Sequence, residues 1–143
     1  RGAGAGLILC PMSRSIVILG AGQAAAQLVD TLRKRGHAGP LTVIGDEPHL
    51  PYQRPPLSKK YFSGALERDR LFIRHAAFYA EHGVDLRLGV RATRIDRAAR
   101  TVALDDGATV GYDALVIATG SRPRRIGLPG AELAGVHYLK TLH

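Results

Sequence analysis

Residues 15–47 read SIVILGAGQAAAQLVDTLRKRGHAGPLTVIGDE, and this stretch decides the fold. Ser15 to Leu19 is an unbroken apolar, β-branched run, the pattern of a strand buried on both faces. It stops at Gly20-Ala21-Gly22. From Gln23 to Arg35, Ala24, Ala25, Leu28, Val29 and Leu32 recur at three- and four-residue spacing, which predicts a helix with one apolar face. Arg33, Lys34 and Arg35 fall in its last turn, where cations suit the helix dipole, and Gly36 ends it. Leu41 to Gly45 is a second buried strand. Strand, helix and strand in this length form a parallel βαβ unit.

The turn between the first strand and the helix has the spacing Gly20-x-Gly22-x-x-Ala25, a dinucleotide fingerprint. Gly20 permits the tight turn out of the strand. Gly22, without a side chain, lets a pyrophosphate approach the backbone. Ala25 allows close packing of helix on strand. The pyrophosphate then rests on the amides at the helix N-terminus, where the dipole favours an anion. Asp46 and Glu47 end the second strand about 20 residues beyond the fingerprint, where an acid grips a ribose hydroxyl. The fingerprint alone does not choose between NAD and FAD.

Outward from this unit the chain changes character. Glu47 to Leu57 holds four prolines and cannot be a helix or a central strand. Ser58 is placed to cap a short helix over Lys59–Phe62, ended by Gly64. Arg74 to His82 predicts another helix and Val84 to Leu88 a strand. Arg91 to Tyr112 reads as a small antiparallel meander turning at Asp105-Asp106-Gly107. Ala114 to Ala118 is again read as a fully buried strand, ending at Thr119-Gly120, and the tail beyond is loop-like. Residues 1–12 read as an extension outside the fold, with Met12 as the natural start.

Composition narrows the classes. The 143 residues are 45% hydrophobic and 22% charged, enough for one domain with a real core and unlike a disordered tail. No apolar run approaches the roughly 20 residues that cross a bilayer. A single cysteine, Cys10, excludes an internal disulfide framework and suits a reducing cytoplasm. The net charge of +8 fits an anionic cofactor or an acidic protein. With no Trp and 6% aromatics, no nucleic-acid module stands out. The six histidines are scattered without metal-ligand spacing, and Ser58 and Ser121 lack partners for nucleophilic catalysis, so no catalytic residue is named. Arg91, Arg94, Arg97 and Arg100 recur every third residue, as solvated positions or as a docking face for an acidic protein. Arg122, Arg124 and Arg125 carry the same pair of readings.

Four motifs together carry a family resemblance: Val17-Ile18-Leu19-Gly20-Ala21-Gly22, Ile44-Gly45-Asp46-Glu47, Tyr52-Gln53-Arg54-Pro55-Pro56-Leu57-Ser58-Lys59, and Tyr112-Asp113-Ala114-Leu115-Val116-Ile117-Ala118-Thr119-Gly120-Ser121-Arg122-Pro123. From Ser15 to Leu142 the chain resembles the N-terminal part of the FAD-dependent pyridine-nucleotide oxidoreductases. Within them it is most similar to the ferredoxin reductases that serve Rieske oxygenases and bacterial haem-thiolate monooxygenases. The resemblance implies an α/β, Rossmann-like FAD/NAD(P)-binding domain, a parallel sheet with an inserted antiparallel β-meander. It implies FAD as cofactor, NAD(P)H as substrate of the whole enzyme, and a ferredoxin-type electron carrier as partner, with no nucleic acid and no membrane. Gly20, Gly22 and Ala24 would bring backbone to the FAD pyrophosphate. Asp46 would hold the adenosine ribose, with Glu47 beside it as the second candidate. Arg54 and Lys59 would reach the phosphates or the flavin ring. Ala92 would receive the adenine through its backbone. Thr119 and Gly120 would lie under the ribityl chain. Lys140 stands where the family usually carries arginine; it keeps the charge and loses the bidentate fork.

The disulfide reductases of this superfamily carry a redox-active cysteine pair after the second strand. Here that stretch reads Pro55-Pro56-Leu57-Ser58, and no cysteine follows Cys10. Electrons are therefore expected to leave the flavin directly for a one-electron carrier. Only one dinucleotide fingerprint is present, so residues 13–143 are expected to be the N-terminal portion of the FAD-binding domain, without the NAD(P)H-binding and C-terminal domains. The isolated chain is expected to be inactive. A stand-alone NAD-binding dehydrogenase and a non-catalytic nucleotide-binding module are the alternatives.

Overall fold

A computed structural model describes residues 13–142. The extension expected over residues 1–12 lies outside the described residues. The βαβ unit forms as its sequence predicts: β1 (Ile16–Leu19), α1 (Gln23–Lys34) and β2 (Leu41–Gly45). Strands β3 (Val84–Leu88) and β7 (Ala114–Ile117) join them in a four-stranded parallel sheet of order β3-β2-β1-β7. Between them in the chain, β4 (Ala92–Asp96), β5 (Thr101–Leu104) and β6 (Thr109–Gly111) form a separate antiparallel meander.

Alternation along the strands builds two cores. Ile18, Leu41 and Val43 face α1, where Ala25 and Val29 are fully buried, with Tyr79 from the short helix α2 (Ala76–Glu81) completing the cluster. Val17, Leu19 and Ile44 point the other way and pack on Val102 and Leu104 of the meander. The result is three layers: helices, parallel sheet, meander. Each fully buried aliphatic side chain contributes about 1.5–3 kcal/mol. The arginine at the end of α1 does more than oppose the helix dipole. Arg33 donates to the carbonyls of His82 at 2.9 Å, His37 at 2.5 Å and Gly39 at 2.9 Å, tying the helix end to the approaches of β2 and β3.

Three sequence expectations need correction. The short helix expected after Ser58 lies earlier, as a 3-10 turn over Pro55–Ser58 with turns following to Gly64. Two prolines at the first helical positions preset φ and lack the N–H groups that would go unpaired there, so the turn starts at them and not at the serine. The helix expected over Arg74–His82 is six residues long, Ala76–Glu81. Strand β7 is not fully buried. It is the edge of the sheet, and Ile117 is 64% exposed.

Candidate nucleotide-binding site

The site lies where the C-terminal ends of β1, β2 and β7 meet the start of α1, the place at which open α/β sheets take ligands. Gly20 leaves β1 with φ +106°, in the left-handed region that glycine tolerates. A Cβ there would stand 2.3 Å from the Ala118 carbonyl oxygen, so β7 packs directly on the turn. Gly22 is different. It caps α1 with an extended backbone, φ −102° and ψ −167°, and no side chain bonds the first-turn amides. Nothing lies within 4 Å of where its Cβ would be. The first amides of a helix have no intrahelical acceptor. Here they face open space, a cradle that fits an anion.

A cavity of about 530 Å³ opens beside this cradle, within the range of small-molecule sites. Its lining includes Gly20, Asp46, Glu47, Arg54, Ala92, Thr119, Gly120 and Lys140. A contiguous cavity of about 240 Å³ adds Gly22 and Ala24. The fold thus brings ten of the twelve sequence-derived residues to one place. Ala25 is not among them; it is fully buried in the core under α1. Lys59 is exposed and lines neither cavity, although Ser58 and Leu57 line a third, of about 310 Å³, beyond Arg54.

The cavity wall is cationic. Arg54, Arg91, Arg122 and Lys140 face two carboxylates, Asp46 and Glu47, leaving two positive charges in excess. Asp46 and Glu47, adjacent in sequence, sit in different surroundings. The Asp46 side chain is 60% exposed at the cavity mouth, with Arg91 Nη2 at 3.4 Å. Glu47 is 15% exposed and turned into the protein. Its Oε2 accepts a hydrogen bond from the Tyr52 hydroxyl and its Oε1 one from Arg54 Nη2, both at 2.5 Å. Burial, and then donation to Glu47, push the Tyr52 phenol up to about 12, so it stays protonated.

Sequence reasoning passed over Arg91 and Tyr52. Arg91 belongs to the three-residue arginine series, which the fold disperses. Arg91 lines the cavity, Arg94 pairs with Asp96 at 3.7 Å, and Arg97 and Arg100 occupy the β4–β5 turn. Of the second cluster, Arg122 lines the cavity and Arg125 lies over the Tyr138 ring. A position one residue before a strand that reaches the cavity was the available signal for Arg91. Among the described residues no group of three His, Cys, Asp or Glu side chains could hold a metal ion. No helix of the described residues is long and apolar enough to cross a membrane.

A parallel sheet with a glycine turn, an uncapped helix start and an acid just after the second strand has the architecture of a dinucleotide-binding α/β protein. Comparison with known proteins takes the assignment one step further: residues 14–143 match the pyridine nucleotide-disulphide oxidoreductase family, and the chain belongs to it. Rhodocoxin reductase of Rhodococcus erythropolis is 47% identical over 127 residues, covering 89% of this chain and 30% of that protein. The ferredoxin–NAD(+) reductase component of the p-cumate 2,3-dioxygenase system of Pseudomonas putida is 44% identical over 127 residues, with 89% and 31% coverage. The fold superposes on the reductase of the covalent putidaredoxin reductase–putidaredoxin complex with TM-score 0.82 at 38% identity, covering 90% of this chain and 32% of that one. The chain therefore spans about 30% of the length of the curated relatives it matches.

Proposed function

We propose that this chain is the FAD-binding part of an NAD(P)H-dependent ferredoxin reductase, which passes electrons from NAD(P)H through FAD to a ferredoxin serving an oxygenase. The observation that carries the reading is the uncapped start of α1 at Gly22, beside a cavity with two excess positive charges. A dinucleotide diphosphate bears two negative charges, and helix-start amides with nearby arginines are what such a group needs. Residues 13–143 then form the N-terminal portion of the FAD-binding domain.

The roles follow from position. Backbone at Gly20, Gly22 and Ala24 meets the pyrophosphate, and Asp46 accepts from the adenosine ribose. Backbone at Ala92 borders the adenine. Thr119 and Gly120 border the ribityl chain, and Arg54 and Lys140 supply positive charge. Lys59, outside the cavity, is left to the flavin's far side or to solvent. Hydride acceptance and one-electron release are the chemistry that FAD supplies when bound; this chain's residues bind and orient it. With no cysteine after Cys10, no dithiol of the described chain stands between FAD and the acceptor, which favours a ferredoxin. A cytoplasmic setting fits both that chemistry and the cysteine content.

Titration of the purified chain with FAD and, separately, with NAD⁺ tests the reading. Saturable quenching of flavin fluorescence at one equivalent, with NAD⁺ at least about tenfold weaker, a difference of 1.4 kcal/mol, is expected. Preference for NAD⁺ would turn the assignment toward a nicotinamide-binding dehydrogenase domain.

A further inference from the structure

Part of the cavity wall comes from the C-terminal segment, Lys140 and Thr141, with Leu139 lining the neighbouring cavity. Residues 121–138 before it form no helix or strand and are largely exposed. What fixes the far end of this segment is a hub of three side chains from the proline-rich loop. Tyr52, 3% exposed, donates to Glu47 and accepts from Arg54 Nη1 at 3.0 Å and from the Leu142 N–H at 3.1 Å. Arg54 Nη1 also donates to the Lys140 carbonyl at 2.7 Å, and its Nη2 to Glu47. The Leu142 side chain packs on the cluster of Tyr52, Leu57 and Leu71.

We infer that Glu47, Tyr52 and Arg54 act as one positioning unit that latches residues 140–142 across the cofactor cavity and so aims the Lys140 cation into it. Resting on the proposed FAD reading, this separates the two neighbouring acids. Asp46 faces the ligand, while Glu47 is a positioning residue that orders Tyr52 and Arg54. The Tyr52 hydroxyl has a single proton and gives it to Glu47, so its lone pairs are left to accept from Arg54 and Leu142. Glu47 thereby sets the polarity of the whole latch. Removing its charge unpairs a part-buried arginine and frees the hydroxyl to turn away.

The test compares Glu47→Gln, Tyr52→Phe, Leu142→Pro and Asp46→Asn in the full chain, with two readouts. Amide hydrogen exchange at residues 139–142 is measured without ligand. Affinities for FAD, ADP and 2′-deoxy-ADP are measured by titration. Glu47→Gln and Tyr52→Phe are expected to accelerate exchange in this segment and to weaken FAD about tenfold, the loss typical of one or two hydrogen bonds. Their preference for ADP over 2′-deoxy-ADP is expected to match the parent's, and Asp46→Asn to abolish that preference. Leu142→Pro removes the N–H that meets Tyr52 together with the leucine packing at the same end of the segment, leaving Tyr52 itself in place, and it is expected to weaken FAD like Tyr52→Phe even if the tyrosine variant folds poorly. Unchanged exchange and FAD affinity in Glu47→Gln and Leu142→Pro overturn the latch. Loss of the ribose preference in Glu47→Gln overturns it too, by making Glu47 a ribose ligand. A parent chain that binds none of the three probes overturns the FAD reading itself, and the latch with it.

Discussion

Gly20 and Gly22 stand two residues apart and answer to different forces, which substitution can separate. At Gly20 the obstacle is the protein itself: φ is +106° and the Ala118 carbonyl oxygen occupies the Cβ position. Gly20→Ala is expected to destabilise the fold by about 1–3 kcal/mol from backbone strain, with the clash adding to it. At Gly22 the space is empty and the backbone extended. Gly22→Val is expected to cost about 1 kcal/mol of stability, the loss of a favourable N-cap residue, while abolishing FAD binding. Denaturant unfolding and FAD titration on both variants check the pair. Asp46→Ala is expected to cost about 1.5–3 kcal/mol of FAD affinity, roughly 10- to 150-fold, because a carboxylate bond to a ribose hydroxyl is charge-assisted. The glycine spacing and Asp46 were legible because they belong to a local strand–turn–helix pattern. Glu47 was not separable from Asp46 in sequence, since its inward turn depends on Tyr52 packing against Leu57 and Leu71. Lys59 lies outside the cavity for a related reason: the proline turn ends before it and leaves it exposed.

At the scale of elements, the β-branched runs announced β1 and β2, and the turn signal at Gly107 announced the meander. Apolarity could not tell that β7 would lie at an edge, because a strand covered on one face and a strand covered on both can share a composition. The joint between β1 and β7 is polar and was invisible beforehand. Ser15 donates its N–H and its hydroxyl to Asp113 Oδ2, each at 2.8 Å, and the Asp113 N–H returns a bond to Ser15 Oγ at 3.0 Å. These donors, the backbone one first, hold the Asp113 carboxyl below its ordinary 3.8. The native state therefore resists protonation that the unfolded chain accepts. The stabilisation is complete above pH 3.8 and is lost as pH falls through the lowered native value. Asp113→Asn is expected to melt below the parent at pH 7, with the gap closing in acid. Melting curves between pH 2 and pH 7 check it (roughly the span over which an aspartate titrates), and a gap independent of pH would exclude this linkage.

Across the whole molecule, one feature outweighs the local ones: much apolar surface remains uncovered by the described residues. Ile117, Ile126, Leu128 and Leu133 are each 59% or more exposed, on the sheet edge and the C-terminal segment. Exposed large apolar side chains in this number favour association. Sedimentation velocity is expected to show self-association that grows with concentration. Electron transfer from a nicotinamide, on the proposed reading, is a matter for the whole enzyme. Positioning of the reacting partners is worth about 7–11 kcal/mol of barrier, and the 143 residues contain one fingerprint, which FAD would fill. A steady-state assay with NADH, FAD and an artificial acceptor is expected to show negligible turnover. Brisk turnover would mean that this one fingerprint holds the nicotinamide.

The pairing of β1 with β7 also dictates an order of events in time. Ser15 and Asp113 are 98 residues apart, and the Ala118 N–H meets the Leu19 carbonyl at 2.7 Å just as its own carbonyl closes on Gly20. During synthesis β1, α1 and β2 emerge early and can pair, but the floor of the cradle arrives only with β7, the last of the four parallel strands among the described residues. Closing so long a loop carries an entropic cost that local contacts avoid. On the proposed reading FAD capture waits for β7, and a ribosome-held chain ending before Ala114 is expected to retain none.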